Sequence, residues 1–388
     1  MIHDSIINPE KIVTLPIGFR DILSPHADAE AKMIDVIMSI AISHGYMRVK
    51  PTLVEFENTL FNGPGLAISE QVFRLIDPIS QHMIGLRADM TTQAARIAST
   101  IMIDAPRPVR LCYAGEVLLT TTNQLNPERE LVQIGAELIG NSTADADAEV
   151  ILLAIESLHT VGVKSISLDI MIPALVPLVL ADMRLPAEIF SAVRQAINQK
   201  DIATVERLAN SKSSVLVGLL KAFGPCEEAM RALSELELPD KARDFLVRPA
   251  EVIKLITNFE PNLSITVDPA ENRGFEYHTG IAFSLFARGG RNEIGRGGRY
   301  QSDKDPKSTA TGFTIYLERV LQILPKHQQT PTVYIPYGTP REQSMALRTR
   351  GQITIAGLTP VVDNYAEAKR MGCKSILLNG QTIDLSQY

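Results

Sequence analysis

Three short runs gather side chains able to hold a small polar ligand or to catalyse. Leu86-Arg87-Ala88-Asp89-Met90-Thr91-Thr92 sets a carboxylate and hydroxyls between an apolar stretch and an Ala-rich one. Gln133-Ile134-Gly135-Ala136-Glu137 spaces an amide and a carboxylate four residues apart, so that both project from one face of a strand. Asn272-Arg273-Gly274-Phe275-Glu276-Tyr277-His278-Thr279-Gly280 combines an arginine, a carboxylate and aromatics in a turn-like run. Carboxylates and amides accept from ammonium and N–H groups, and an arginine matches a carboxylate. Each run also has a plain reading: Asp89 as a helix N-cap, Gln133 and Glu137 as a solvated strand face, and the third run as a salt-bridged loop.

Other chemistries lack their residues. No Gly-Lys-Ser/Thr phosphate loop occurs, no GxGxxG follows a strand, no histidine pair stands at i, i+4 beside an acid, and no GxSxG elbow is present. Cys112, Cys226 and Cys373 lie far apart with no CxxC, which predicts neither disulfides nor a thiolate metal site. No cofactor and no metal are expected. Asp145, Asp147 and Glu149 read as helix-start charges rather than metal ligands, and Cys112 reads as a small core hydrophobe. The run 288–299, with five glycines and four arginines, reads as a phosphate cradle or as a mobile loop before a strand, with Gly297 and Gly298 lining a pocket.

Positioning these groups requires a particular order of elements. Apolar spacing over Met33, Ile34, Ile37, Met38 and Ala41 predicts a helix stopped by Gly45, followed by a proline-bearing strand over 46–56. Strands are predicted at 83–86, 109–119, 130–139, 164–170, 263–267 and 280–286, and helices at 92–103, 143–160 and 314–324. Residues 172–260 turn Leu-, Ala-, Arg- and Glu-rich with helical periodicity, which predicts a helical insertion in the sheet. The expected fold class is α+β, with a main domain over 1–327 and a small α/β domain over 328–388.

The chain has 388 residues, 45% hydrophobic and 21% charged, the balance of an ordinary globular protein. No apolar run is long enough for a membrane span, and the polar start with Asp4 and Glu10 does not read as a secretory signal; a cytoplasmic location is expected. A net charge of -6 supplies no basic field for nucleic acid.

Taken together, Arg87 to Thr91, Gln133 to Glu137, Arg273 to Tyr277, Gly297-Gly298-Arg299-Tyr300 and Gly312-Phe313 through Leu317-Glu318-Arg319 resemble the catalytic domain of class II histidyl-tRNA synthetase, over about residues 8–325. The resemblance implies an antiparallel sheet flanked by helices, a homodimer formed through the helix and strand of the first class II motif, and a pocket for L-histidine. In that pocket Asp89, Thr91 and Gln133 hold the α-amino group, Glu137 the imidazole and Arg273 the carboxylate, with Tyr277 and Tyr300 as walls and His278 where the family has a second tyrosine. The register also puts Leu119 where the family's second motif carries the arginine that binds the ATP α-phosphate, and Thr121 where an acid follows, so adenylation is expected to be lost. The tail resembles a shortened remnant of the anticodon-binding domain. A histidine pocket without an adenylation arginine looks like the ATP phosphoribosyltransferase regulatory subunits, non-catalytic partners that activate a short-form catalytic subunit in the first step of histidine biosynthesis and mediate feedback inhibition by histidine. The alternatives are a working histidyl-tRNA synthetase or a synthetase-like protein that binds another partner.

Overall fold

A computed structural model describes residues 15–61, 69–121, 127–209, 213–272, 274, 277–302, 308–325 and 331–387. In chain order the elements are α1 (His26–Ser43), β1 (Met47–Arg48), β2 (Val54–Phe56), α2 (Glu57–Leu60), β3 (Arg74–Ile76), β4 (Met83–Leu86), α3 (Thr91–Ser99), β5 (Val109–Leu118), β6 (Glu130–Ile139), α4 (Ala144–Thr160) and β7 (Ile166–Met171). Then come α5 (Leu175–Met183), α6 (Ala187–Asn198), α7 (Ile202–Ala209), α8 (Ser213–Lys221), β8 (Gly224–Pro225), α9 (Cys226–Glu235), α10 (Asp240–Phe259), β9 (Ser264–Asp268), β10 (His278–Ala287), β11 (Gly295–Gln301), β12 (Thr309–Tyr316) and α11 (Leu317–Ile323). The last elements are β13 (Thr332–Ile335), α12 (Arg341–Thr349), β14 (Ile353–Ala356), α13 (Asn364–Arg370), β15 (Ser375–Leu378) and β16 (Gln381–Asp384). By internal contacts the chain divides into two units, one of residues through 22 with 27–325, the other of 23–26 with 326 onward.

In the larger unit a nine-stranded sheet runs β1-β5-β6-β12-β11-β10-β7-β9-β8. Its centre is antiparallel, while β1 pairs with β5 and β7 with β9 in parallel. Strand β6 is buried from Leu131 to Ile139 because the sheet is covered on both faces. Val132, Ile134, Ala136 and Leu138 join a core with α1, α4 and the helices of 175–259, whereas Leu131 and Ile139 join a second core with α3. Between those last two, on the same face by alternation, stand Gln133, Gly135 and Glu137. A three-stranded sheet, β2-β4-β3, leads into α3. The smaller unit is a four-stranded sheet, β14-β13-β15-β16, with α12 and α13.

Local chemistry explains several boundaries. Helix α4 starts at Thr143, whose hydroxyl accepts from the Ala146 amide, and the chain leaves it through Gly162 at a left-handed φ of 98°. Arg87 is buried and donates to the carbonyls of Glu116 and Pro51 at 2.7 and 3.0 Å, tying the turn before α3 to β5.

Three expectations need correction. Residues 46–56 form two short strands in different sheets, not one, with Pro51 between them. Residues 295–301 form strand β11 rather than a loop, and 314–316 end strand β12 rather than opening a helix, which begins at Leu317. In both cases hydrogen-bonded neighbours on either side, β6 and β11 for β12, β12 and β10 for β11, overrode a local glycine-rich or helical pattern.

Asp147 stands in the first turn of α4, as the sequence predicts, and is fully buried there. Arg299 Nε lies 2.9 and 3.2 Å from its two oxygens, and Arg299 Nη1 donates to the Asn141 carbonyl and the Thr309 hydroxyl. Arg248 of α10 approaches the same carboxylate at 3.5 Å. The pair thereby pins β11 to α4 and the helical insertion to both. Asp147→Asn strands a buried guanidinium, so urea unfolding should show a loss of about 3–5 kcal/mol. Arg248→Ala, at a position one-third exposed, should cost much less in the same experiment.

Candidate functional site

Register across four adjacent strands builds the floor of a pocket. One row of paired residues runs Tyr113, Gly135, Thr314, Arg296, and the next runs Leu111, Glu137, Gly312, Gly298. A Cβ at Gly312 would fall on the Glu137 carboxyl, and one at Gly135 on the Tyr113 ring end, so these glycines give the large polar side chains their room. Asp89 and Thr91 come from the start of α3, and Tyr277 and His278 from the start of β10. Together with Arg296, Tyr300, Thr314 and Tyr316 they line one pocket.

Glu137 sits at the centre, 1% exposed. Tyr113 donates to its Oε1 and Tyr300 to its Oε2, each at 3.0 Å, and the Tyr113 hydroxyl also meets Thr91 Oγ1 at 3.2 Å. Burial, opposed by the hydroxyls and aided by the charge of Asp89, pushes Glu137 up to about 8. The Asp89 carboxyl is also raised by burial, against the hydrogen bonds it accepts from Thr91 and Gln133. Asp89 Oδ1 takes the Thr91 amide at 2.7 Å and Oδ2 takes Gln133 Nε2 at 2.7 Å. Asp89 Oδ1 thus caps the first turn of α3, where Met90 makes no side-chain cap bond, while its Oδ2 is held by Gln133, so the carboxyl serves both the helix start and the pocket.

Of the residues singled out in the sequence, Asp89, Thr91, Glu137, Tyr277, His278 and Tyr300 line the pocket. Gln133 is buried just behind it. Its amide is spent on Asp89, Thr314 Oγ1 and the Met90 N–H, so it orients Asp89 and does not face the cavity. Arg273 lies outside the described residues. Tyr277 stacks on His278 with ring centres 4.0 Å apart and meets Tyr300 edge-on at 6.2 Å, forming an aromatic wall. Gly297 and Gly298 line the cavity from within β11.

Sequence reasoning did not assign Tyr113, Arg296, Thr314 or Tyr316 to the site. Tyr113 and Thr314 were recoverable only through register with Glu137. Arg296, ion-paired with Glu293, was hidden in a run read as a loop. Leu119 is half-buried against the second core; its side chain brings no charge, and its carbonyl accepts from Arg129 Nε at 3.0 Å. Cys112 is fully buried and burial pushes its thiol up to about 11, the state of an inert core residue. Chemically, the pocket offers two desolvated carboxyls and hydroxyls at one side and a guanidinium at another. It suits a small zwitterion rich in N–H donors.

Comparison with known proteins places this architecture. Residues 18–320 match the histidyl-tRNA synthetase family model. An ATP phosphoribosyltransferase regulatory subunit from Rhodospirillum centenum is 45% identical over 378 residues, 97% of either chain. This chain belongs to the ATP phosphoribosyltransferase regulatory subunit family. The fold agrees: a solved structure from Bacillus halodurans, described as an ATP phosphoribosyltransferase regulatory subunit/histidyl-tRNA synthetase, superposes with a TM-score of 0.80 at 23% identity, covering 92% of this chain and 96% of that one. A chain of the ATP phosphoribosyl transferase (HisG:HisZ) complex from Thermotoga maritima superposes at 0.59 and 16% identity, covering 74% and 97%. The class II synthetase-like α+β expectation therefore holds for this family member. No described helix is long and apolar enough to cross a membrane.

The raised Glu137 carboxyl has a consequence for the empty protein. Between its ordinary 4.5 and about 8 the folded chain holds a proton that the unfolded chain has released, so stability falls as pH rises through that window. Glu137→Gln keeps the shape and removes the ionisation. Its melting temperature, relative to wild type without ligand, should rise progressively from pH 5 to pH 9; parallel curves would show that Glu137 carries no such proton.

Proposed function

We propose that the pocket binds L-histidine and that the chain is the non-catalytic regulatory partner of a short-form ATP phosphoribosyltransferase catalytic subunit, raising its activity and transmitting feedback inhibition. The observation that carries the reading is Glu137, a buried carboxyl held between two tyrosines. Such a group is costly unless a ligand's N–H or cation completes it, and an imidazole does so. Asp89 with Thr91 suits the α-amino group, Gln133 acts behind Asp89, and the Tyr277–His278 stack walls the ring. Arg296 suits the carboxylate, beside the Arg273 that the resemblance assigns there. The regulatory-subunit names of the relatives and the Thermotoga complex support a catalytic partner.

Adenylation is absent in this reading because Leu119 supplies no charge to an α-phosphate. The small C-terminal unit is then a shortened anticodon-domain remnant, the homodimer forms through α1 and its following strand, and the assembly works in the cytoplasm. Histidine regulates only if it prefers one assembled state over another, since equal affinity shifts nothing. The synthetase family match supports one competing reading, a working histidyl-tRNA synthetase; histidine-dependent pyrophosphate exchange by this chain would establish it instead.

The deciding experiment measures phosphoribosyl-ATP formation by a short-form catalytic subunit with and without this chain, each with and without histidine. The expected outcome is stimulation by the chain and its reversal by histidine. No effect of the chain in either condition would overturn the regulatory reading. Calorimetry separates the pocket assignments. Arg296→Met should weaken histidine roughly 10- to 100-fold while barely changing histamine, which lacks the carboxylate. Equal losses for both ligands would remove Arg296 from that role.

A further inference from the structure

On the face of β5 and β6 turned away from the pocket, a separate cleft of about 290 Å³ is lined by Asp21, Glu30, Glu116, Glu128, Glu130 and Glu318. Strand alternation separates the two sites: Glu116 pairs with Val132 on the α1 face, whereas Gly115 pairs with Gln133 on the pocket face. Its one basic lining residue is Arg20, whose charge favours the ionised forms of Glu30 and Glu318 without outweighing their burial.

Two buried oxygens on residues that line the cleft lack a hydrogen-bond partner. Glu318 is 5% exposed; its Oε1 accepts the Val132 amide at 2.7 Å, but its Oε2 is buried with no hydrogen-bond partner. Glu30 of α1 likewise has a buried Oε2 with none. Burial pushes Glu318 up to about 7, and burial together with the neighbouring Glu116 raises Glu30. Carboxylate oxygens held out of water are costly until a cation or N–H donor meets them. Among the described residues no three acids or other ligands converge closely enough to hold a metal ion. Dispersed acceptors in a cleft of this size instead suit a larger cation with several separated N–H donors.

From Glu318 and Glu30 converging with unpartnered oxygens on one acidic cleft, we propose a second ligand site, specific for a small organic cation bearing amine or guanidinium groups. This site does not depend on the histidine reading. Agmatine and putrescine are the probes, titrated by calorimetry and thermal shift at matched ionic strength into wild type, Glu318→Gln, Glu30→Gln and the exposed control Glu206→Gln, with magnesium chloride as a separate arm.

Saturable agmatine or putrescine binding, at least tenfold weaker in Glu318→Gln and Glu30→Gln and unchanged in Glu206→Gln, is the expected result. Should Glu318→Gln fail to fold, Glu30→Gln on the half-buried helix position carries the same test. No saturable binding of either amine overturns the proposal. Equal weakening in all three variants would reduce the effect to the chain's net negative charge and overturn it too. Magnesium binding with the same dependence on Glu30 and Glu318 would make the site one for metal, which also overturns it.

Discussion

A carboxyl group enclosed on every side in the middle of a sheet is the constraint around which the rest of this protein is arranged. Glu137 has two tyrosine hydroxyls for company and almost no water. Each acceptor oxygen therefore needs a donor from a fixed direction, and those donors come from β5 and β11, the second and fifth strands of the sheet. Gly135 leaves room for the ring end of Tyr113, and Gly312 for the Glu137 carboxyl itself. The arrangement costs stability at one spot, since burial disfavours the ionised carboxyl.

Holding that geometry falls to a second buried charge, placed on the other side of the same strands. Arg299 precedes Tyr300 and points the opposite way, into Asp147 at the start of α4. Fixing one residue of β11 fixes its neighbour, so the ion pair that anchors the strand also aims a tyrosine hydroxyl at Glu137. Arg248 extends the same contact to α10, and thereby gives the helical insertion a physical link to the strand that bears Tyr300. Gln133 plays a comparable part for Asp89, consuming its own amide in order to set another residue's direction.

Fold and chemistry diverge within this scaffold. The sheet keeps the form of a synthetase body, and just past the end of β5 the half-buried Leu119 offers only hydrocarbon from its side chain, while its carbonyl accepts from Arg129 Nε at 3.0 Å. Function therefore has to be argued from the site rather than from the architecture.

Much of the site was legible in the chain itself. Gln133 and Glu137 announce a shared face by their spacing, Thr143 announces the start of α4, and the ordered set of short runs marks the family. What the sequence could not decide was which side chains meet across strands. Tyr113 and Arg296 stand 24 and 159 residues from Glu137 in the chain, and no local pattern links them to it. Their place depends on hydrogen-bond register, a long-range property. Asp147 obeyed the pattern of a helix start and was buried all the same, because Arg299 arrived from 152 residues away to neutralise it. The glycine-rich run at 295–301 resembled a loop for an equally physical reason: glycine favours loops locally, but here small residues are required in a strand because a Cβ at Gly297 would strike the Phe283 ring and one at Gly298 the His278 ring. Local preference set the elements, and close packing between distant strands set the chemistry.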